Sequence, residues 1–127
     1  MIYKILIVDD NAIIRQAVRH LIEQNADWQV CGEAENGSIA VEKVREMAPN
    51  VVILDLAMPG MTGIETAQHI RRIAPTTALV MFTMYSNPTL LKYAGSVGVN
   101  QLVSKGEGAV EHLEAAIHSA LSTSAKS

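Results

Sequence analysis

The sequence predicts an α/β domain, a doubly wound parallel five-stranded sheet with helices on its faces. Three observations carry that expectation. Short apolar runs at 5–8, 51–54 and 78–83 read as strands, the run at 51–54 as one buried on both faces. The stretches between them place apolar residues at helical spacing. The two patterns alternate five times along 127 residues, at spacings suited to right-handed crossovers.

Taken in order, residues 4–8 form the first strand, and Asn11 is placed to cap the helix that follows. In that helix Ile13, Ile14, Ala17, Val18, Leu21 and Ile22 are expected on one apolar face, with Arg15, Arg19 and Glu23 opposite. Residues 28–34 are a more polar strand, interrupted at Val30 and Gly32 and expected at the sheet edge. Asn36-Gly37 signals a turn, and residues 38–48 carry Ala40, Val41, Val44 and Met47 inward until Pro49 stops the helix.

After the strand at 51–54, a loop punctuated by Pro59, Gly60 and Gly63 leads to a helix with Ile64, Ala67, Ile70 and Ile73 inward. His69, Arg71 and Arg72 are expected in solvent. Asn87 and Pro88 open a fourth helix whose face is Leu90, Leu91, Ala94 and Val97, weakened by Gly95 and Gly98. Residues 100–103 are a short fifth strand. A last helix runs from about Gly108 to Leu121 with Val110, Leu113, Ile117 and Leu121 inward. The domain is thus expected over residues 1–121, with 122–127 small and polar like a linker or chain end.

Composition narrows the function. No apolar run approaches the roughly 20 residues of a membrane-spanning helix. Residues 1–4 enter a strand without the segments of a secretory signal, and the single Cys31 suits a reducing compartment, so a cytoplasmic location is expected. A net charge of −3 argues against direct nucleic-acid contact by this domain. Packing roles are expected for Cys31, a small hydrophobe on a strand, and for Met58, Met61, Met81 and Met84. His20, His69, His112 and His118 share no ligand spacing with the acids and are expected at the surface.

Polar residues gather at the strand ends. Asp9 and Asp10 close the first strand, Asp55 the third, Thr83 the fourth, and Lys105 follows the fifth. Parallel sheets bind ligands at this edge. Three carboxylates brought together there repel one another unless a cation sits among them.

Those residues, in Ile7-Val8-Asp9-Asp10, Leu54-Asp55-Leu56-Ala57-Met58-Pro59-Gly60, Thr83 and Lys105, resemble the receiver domains of bacterial two-component response regulators. The segment 98–105 is most similar to the NarL/FixJ group. The resemblance spans about residues 4–121 and implies a flavodoxin-like strand order, 2-1-3-4-5. It implies that Asp55 accepts a phosphoryl group from a sensor histidine kinase and that Mg²⁺ is held by Asp10, Asp55, the Ala57 carbonyl and, mainly through water, Asp9. It also implies that Lys105 neutralises the phosphoryl oxygens and Thr83 donates its hydroxyl to them. Ala57 and Tyr85 occupy positions that tune phosphoryl lifetime in the family.

An output follows from the same resemblance: a C-terminal helix-turn-helix DNA-binding domain, and homodimerisation through the region of the fourth and fifth helices. The alternative is a stand-alone receiver serving as a protein-interaction or phosphorelay module. An aspartyl-phosphate phosphatase is disfavoured because Ala57 stands where such enzymes carry a second acid. Three positions depart from the family's pattern: Leu102 replaces a common aromatic, Gly106 a common proline, and Met84 a commonly small residue.

Overall fold

The computed structural model describes residues 1–84 and 88–125, with side chains through Ser122. The expectation that Asn87 opens a helix, and the placement of Tyr85, lie outside the described residues. Five strands and five helices alternate: β1 (Tyr3–Val8), α1 (Ala12–Glu23), β2 (Trp28–Ala34), α2 (Gly37–Met47) and β3 (Val51–Leu54), then α3 (Gly63–Ile73), β4 (Ala78–Thr83), α4 (Pro88–Ser96), β5 (Gln101–Ser104) and α5 (Ala109–Ala125). The strands form one parallel sheet in the order β2-β1-β3-β4-β5, as the resemblance implies, with β2 at an edge.

Alternation of side chains along each strand divides the core between the two faces. Ile5, Ile7, Ile53, Val80 and Phe82 pack against α1 and α5 through Val18, Ile22, Leu113 and Ile117. Leu6, Val8, Val52, Leu54 and Leu79 face α2 and α3 through Ala40, Val44, Ala67 and Ile70. A smaller cluster of Ile64, Met81 and Ala94, with Leu102 packed against it, seats α4. The β1–β2 register slips between Ile5 and Leu6, leaving Cys31 as the extra residue of a bulge. That explains the broken alternation at Val30 and Gly32, and it leaves Cys31 half-buried with its thiol pushed up by burial.

Caps fix the helix starts. Asn11 accepts from the Ile13 and Ile14 N–H groups, and Asn36 accepts from Ile39, so Asn36 is a cap and Gly37 the first helical residue instead of a free turn. Thr62 and Glu65 form a reciprocal capping box. Gly37 is required by close approach: a Cβ there would lie 2.2 Å from Thr66 Oγ1 on α3.

Several sequence expectations are corrected. Ile13 is 75% exposed, and Ala17 is also outside, because α1 meets the sheet over a narrower stripe than its apolar pattern. Leu91 and Val110 are exposed for the same reason, and Met84 points outward beyond the β4 end. Arg71, expected in solvent, is half-buried. Its guanidinium donates to the carbonyls of Pro75 (2.8 Å), Thr77 (2.7 Å) and Gly98 (2.6 Å), tying the α4–β5 loop to the end of α3. α5 continues through Ala125, past the end expected at Leu121, since no glycine or proline interrupts it.

Candidate functional site

The ladder of the sheet delivers the functional residues to its carboxyl edge. The Asp9 N–H donates to the Ala34 carbonyl (3.0 Å), the Asp55 N–H to that of Val8 (2.9 Å), and the Lys105 N–H to that of Thr83 (2.7 Å). Each residue is thus held at the last rung, with its side chain free to leave the core. Gly63 lets α3 begin directly behind Asp55, since a Cβ there would lie 2.3 Å from the Asp55 carbonyl oxygen.

Lys105 reaches both acid-bearing strands. Its Nζ is 2.7 Å from Asp9 Oδ2 and 3.4 Å from Asp55 Oδ1, and its ammonium lies 5.6 Å from the Phe82 ring centroid. Asp9 and Asp55 are buried, whereas Asp10 is exposed. The second Asp9 oxygen accepts the Asn11 N–H at 2.9 Å. Burial pushes the Asp55 carboxyl above the usual carboxylate range and the neighbouring Asp9 charge adds to this, while Lys105 and the Ala57 main-chain N–H oppose it. Thr83 is wholly buried at the end of β4.

Asp9, Asp10 and Asp55 each offer a carboxylate oxygen within 4.8 Å of the others, an all-oxygen set that could hold a metal ion. Hard divalent cations prefer such donors. Of the residues expected from the strand ends, the three acids converge and Lys105 bridges two of them, while Thr83 is joined to Lys105 through the backbone. The four histidines expected at the surface contribute no metal-binding group among the described residues, although His118 packs against Trp28 with ring centroids 4.6 Å apart and planes tilted by 49°.

Sequence reasoning passed over Arg15. Its Nη1 donates to the Asp9 carbonyl at 2.7 Å and its Nε to Glu33 Oε1 at 3.0 Å. Arg19 grips the other Glu33 oxygen through Nε (2.8 Å) and Nη2 (2.7 Å). Burial alone would raise the Glu33 carboxyl, but Arg19 and Arg15 outweigh it and hold it below the usual range. The available signal was the spacing: two arginines four apart share a helix face and invite a common acidic partner.

Residues 5–118 match the model of the response regulator receiver domain family. The chain is 38% identical over 88 residues to the transcriptional regulatory protein YdfI of Bacillus subtilis, covering 69% of this chain and 41% of that protein. It is 34% identical over 115 residues to the chemotaxis protein CheY of the same organism, covering 91% and 95%. The crystal structure of a LuxR-family two-component response regulator from Aurantimonas sp. SI85-9A1 superposes with a TM-score of 0.92 at 32% identity, over 97% of this chain and 87% of that one. That neighbour agrees with the NarL/FixJ-like resemblance of segment 98–105. The chain spans less than half the length of YdfI and nearly all of CheY.

Proposed function

The chain belongs to the response regulator receiver domain family, and from that premise we propose that it is a switch whose Asp55 accepts a phosphoryl group from a sensor histidine kinase. The observation that carries this reading is Lys105 reaching both Asp9 and Asp55 at the rim where three carboxylates converge. An Asp55 oxygen forms a bond to phosphorus as the phosphorus–nitrogen bond of the donor phosphohistidine breaks, and the electron pair leaves with the imidazole. Asp9, Asp10, Asp55 and the Ala57 carbonyl would hold Mg²⁺, which supplies positive charge against the phosphoryl oxygens. Lys105 is already paired with the acids and adds a second positive charge to the incoming group. Thr83, at the end of β4, would donate its hydroxyl to the phosphoryl oxygens. The chain is a phosphoacceptor that promotes only the gain and loss of its own phosphoryl group.

The match to a longer transcriptional regulator supports a transcriptional output; the helix-turn-helix DNA-binding domain and homodimerisation through the α4–α5 region are what the family resemblance implies. The end-to-end match to CheY favours a second reading, a stand-alone receiver in the cytoplasm. Reading the gene beyond residue 127 separates the two. The phosphoacceptor role is tested by intact mass after incubation with Mg²⁺ and a small phosphodonor. The native protein is expected to gain one phosphoryl group and Asp55→Asn none; equal gains would overturn the assignment.

A further inference from the structure

The peptide joining Asp9 to Asp10 is gripped from outside the carboxylate cluster. Asp9 has its own carboxylate partners in Asn11 and Lys105. The Asp10 carboxylate is exposed and has no hydrogen-bond partner among the described residues. No partner holds the side chain, so what the fold fixes is the backbone from which its Cα–Cβ bond starts. That backbone is pinned at the Asp9 carbonyl by Arg15 Nη1 at 2.7 Å, while the same guanidinium is fixed through Nε to Glu33 at 3.0 Å. Glu33 is itself immobilised on β2, with Arg19 on its second oxygen and Lys43 donating to its main-chain carbonyl.

We propose that Arg15 and Glu33 are positioning residues for the acid pair: Glu33 aims Arg15, and Arg15 orients the 9–10 peptide so that Asp10 is pre-set to receive a divalent cation. The inference rests on the reading of the cluster as a Mg²⁺-dependent phosphoacceptor site. Its physical basis is the planar guanidinium, whose fork satisfies a carboxylate and a carbonyl at once, as one ammonium cannot with the same geometry. Partners that orient ligands in this way commonly set metal affinity by tenfold or more.

The test is a Mg²⁺ titration of the full chain, read both by calorimetry and by the Mg²⁺ dependence of phosphorylation from a small phosphodonor. Arg15→Met is expected to raise the half-saturating Mg²⁺ about tenfold, with the phosphorylation rate at saturating Mg²⁺ returning close to that of the native chain. Arg15→Lys is expected to remain displaced. Glu33→Ala is expected to shift in the same direction, and the double variant no further than Arg15→Met alone, because Glu33 acts through Arg15. A lower metal-free melting temperature with unchanged half-saturation would make the pair merely structural and overturn the proposal. So would a double variant whose shift is the product of the two singles. A native chain that neither binds Mg²⁺ nor needs it for phosphorylation would overturn the underlying site reading instead.

Discussion

Replacing Gly63 and Gly95 by alanine, one at a time, tests whether the backbone behind Asp55 is as tightly built as the geometry indicates. A Cβ on Gly63 would lie 2.3 Å from the Asp55 carbonyl oxygen and 2.6 Å from Leu56 Cα, and both obstacles are main chain. Neither can rotate aside, so α3 must back away from β3 and strain the Gly63 N–H bond to the Leu56 carbonyl (2.7 Å). Overpacking of this kind costs about 1–3 kcal/mol. For a chain of this length each kcal/mol moves the melting temperature by roughly 4 °C, so a fall of about 4–12 °C is expected. Gly95 lies inside α4 with nothing within 4 Å of its would-be Cβ. There alanine should stabilise by about 0.5–1 kcal/mol, raising the melting temperature by roughly 2–4 °C. Calorimetric or circular-dichroism melts of both variants read the contrast. A Gly63→Ala protein melting within a degree or so of the native one, or a Gly95→Ala protein melting lower, would refute the reasoning.

Two further outcomes follow from the rim. Mg²⁺ should raise the melting temperature of the native chain, by mass action worth about 2.7 kcal/mol at a hundredfold excess over its dissociation constant. The rise should be much smaller in Asp10→Ala, which should also melt above the native chain without metal because one of three crowded charges is gone; a native melting point indifferent to Mg²⁺ contradicts this. In hydrogen exchange, a phosphoryl mimic such as beryllofluoride should change protection over residues 88–106, and the change should vanish in Thr83→Ala. α4 buries only Ala94 and carries Gly95, which places it at the low-stability end from which switching elements come. Protection changes confined to the surroundings of Asp55 would refute that route.

The fold was legible wherever one local rule acted alone. Buried runs such as Val51–Leu54 and Ala78–Thr83 admit no other reading once they alternate with helical patterns. The strand-end acids were legible because a parallel sheet leaves its carboxyl edge open for polar side chains. The strand order itself came with the family resemblance. What escaped depended on tertiary register. Arg15 and Arg19 meet Glu33 only because the Cys31 bulge sets the register of β2 against β1. Arg71 looks like any surface arginine until α4 ends and Gly98, at φ 92°, turns its carbonyl toward the guanidinium. Ile13, Leu91 and Val110 obey helical spacing yet stay exposed, because spacing defines a stripe but not how much of it a neighbour covers.

Reductive trapping of the acyl phosphate tests the central claim most directly. After phosphorylation by a small donor with Mg²⁺, borohydride converts a phosphorylated aspartate to homoserine, which peptide mass mapping locates. The conversion should fall on Asp55 alone, at the end of β3 beside Lys105. Conversion at Asp9 or Asp10, or none in a chain that has gained a phosphoryl group, would contradict the account.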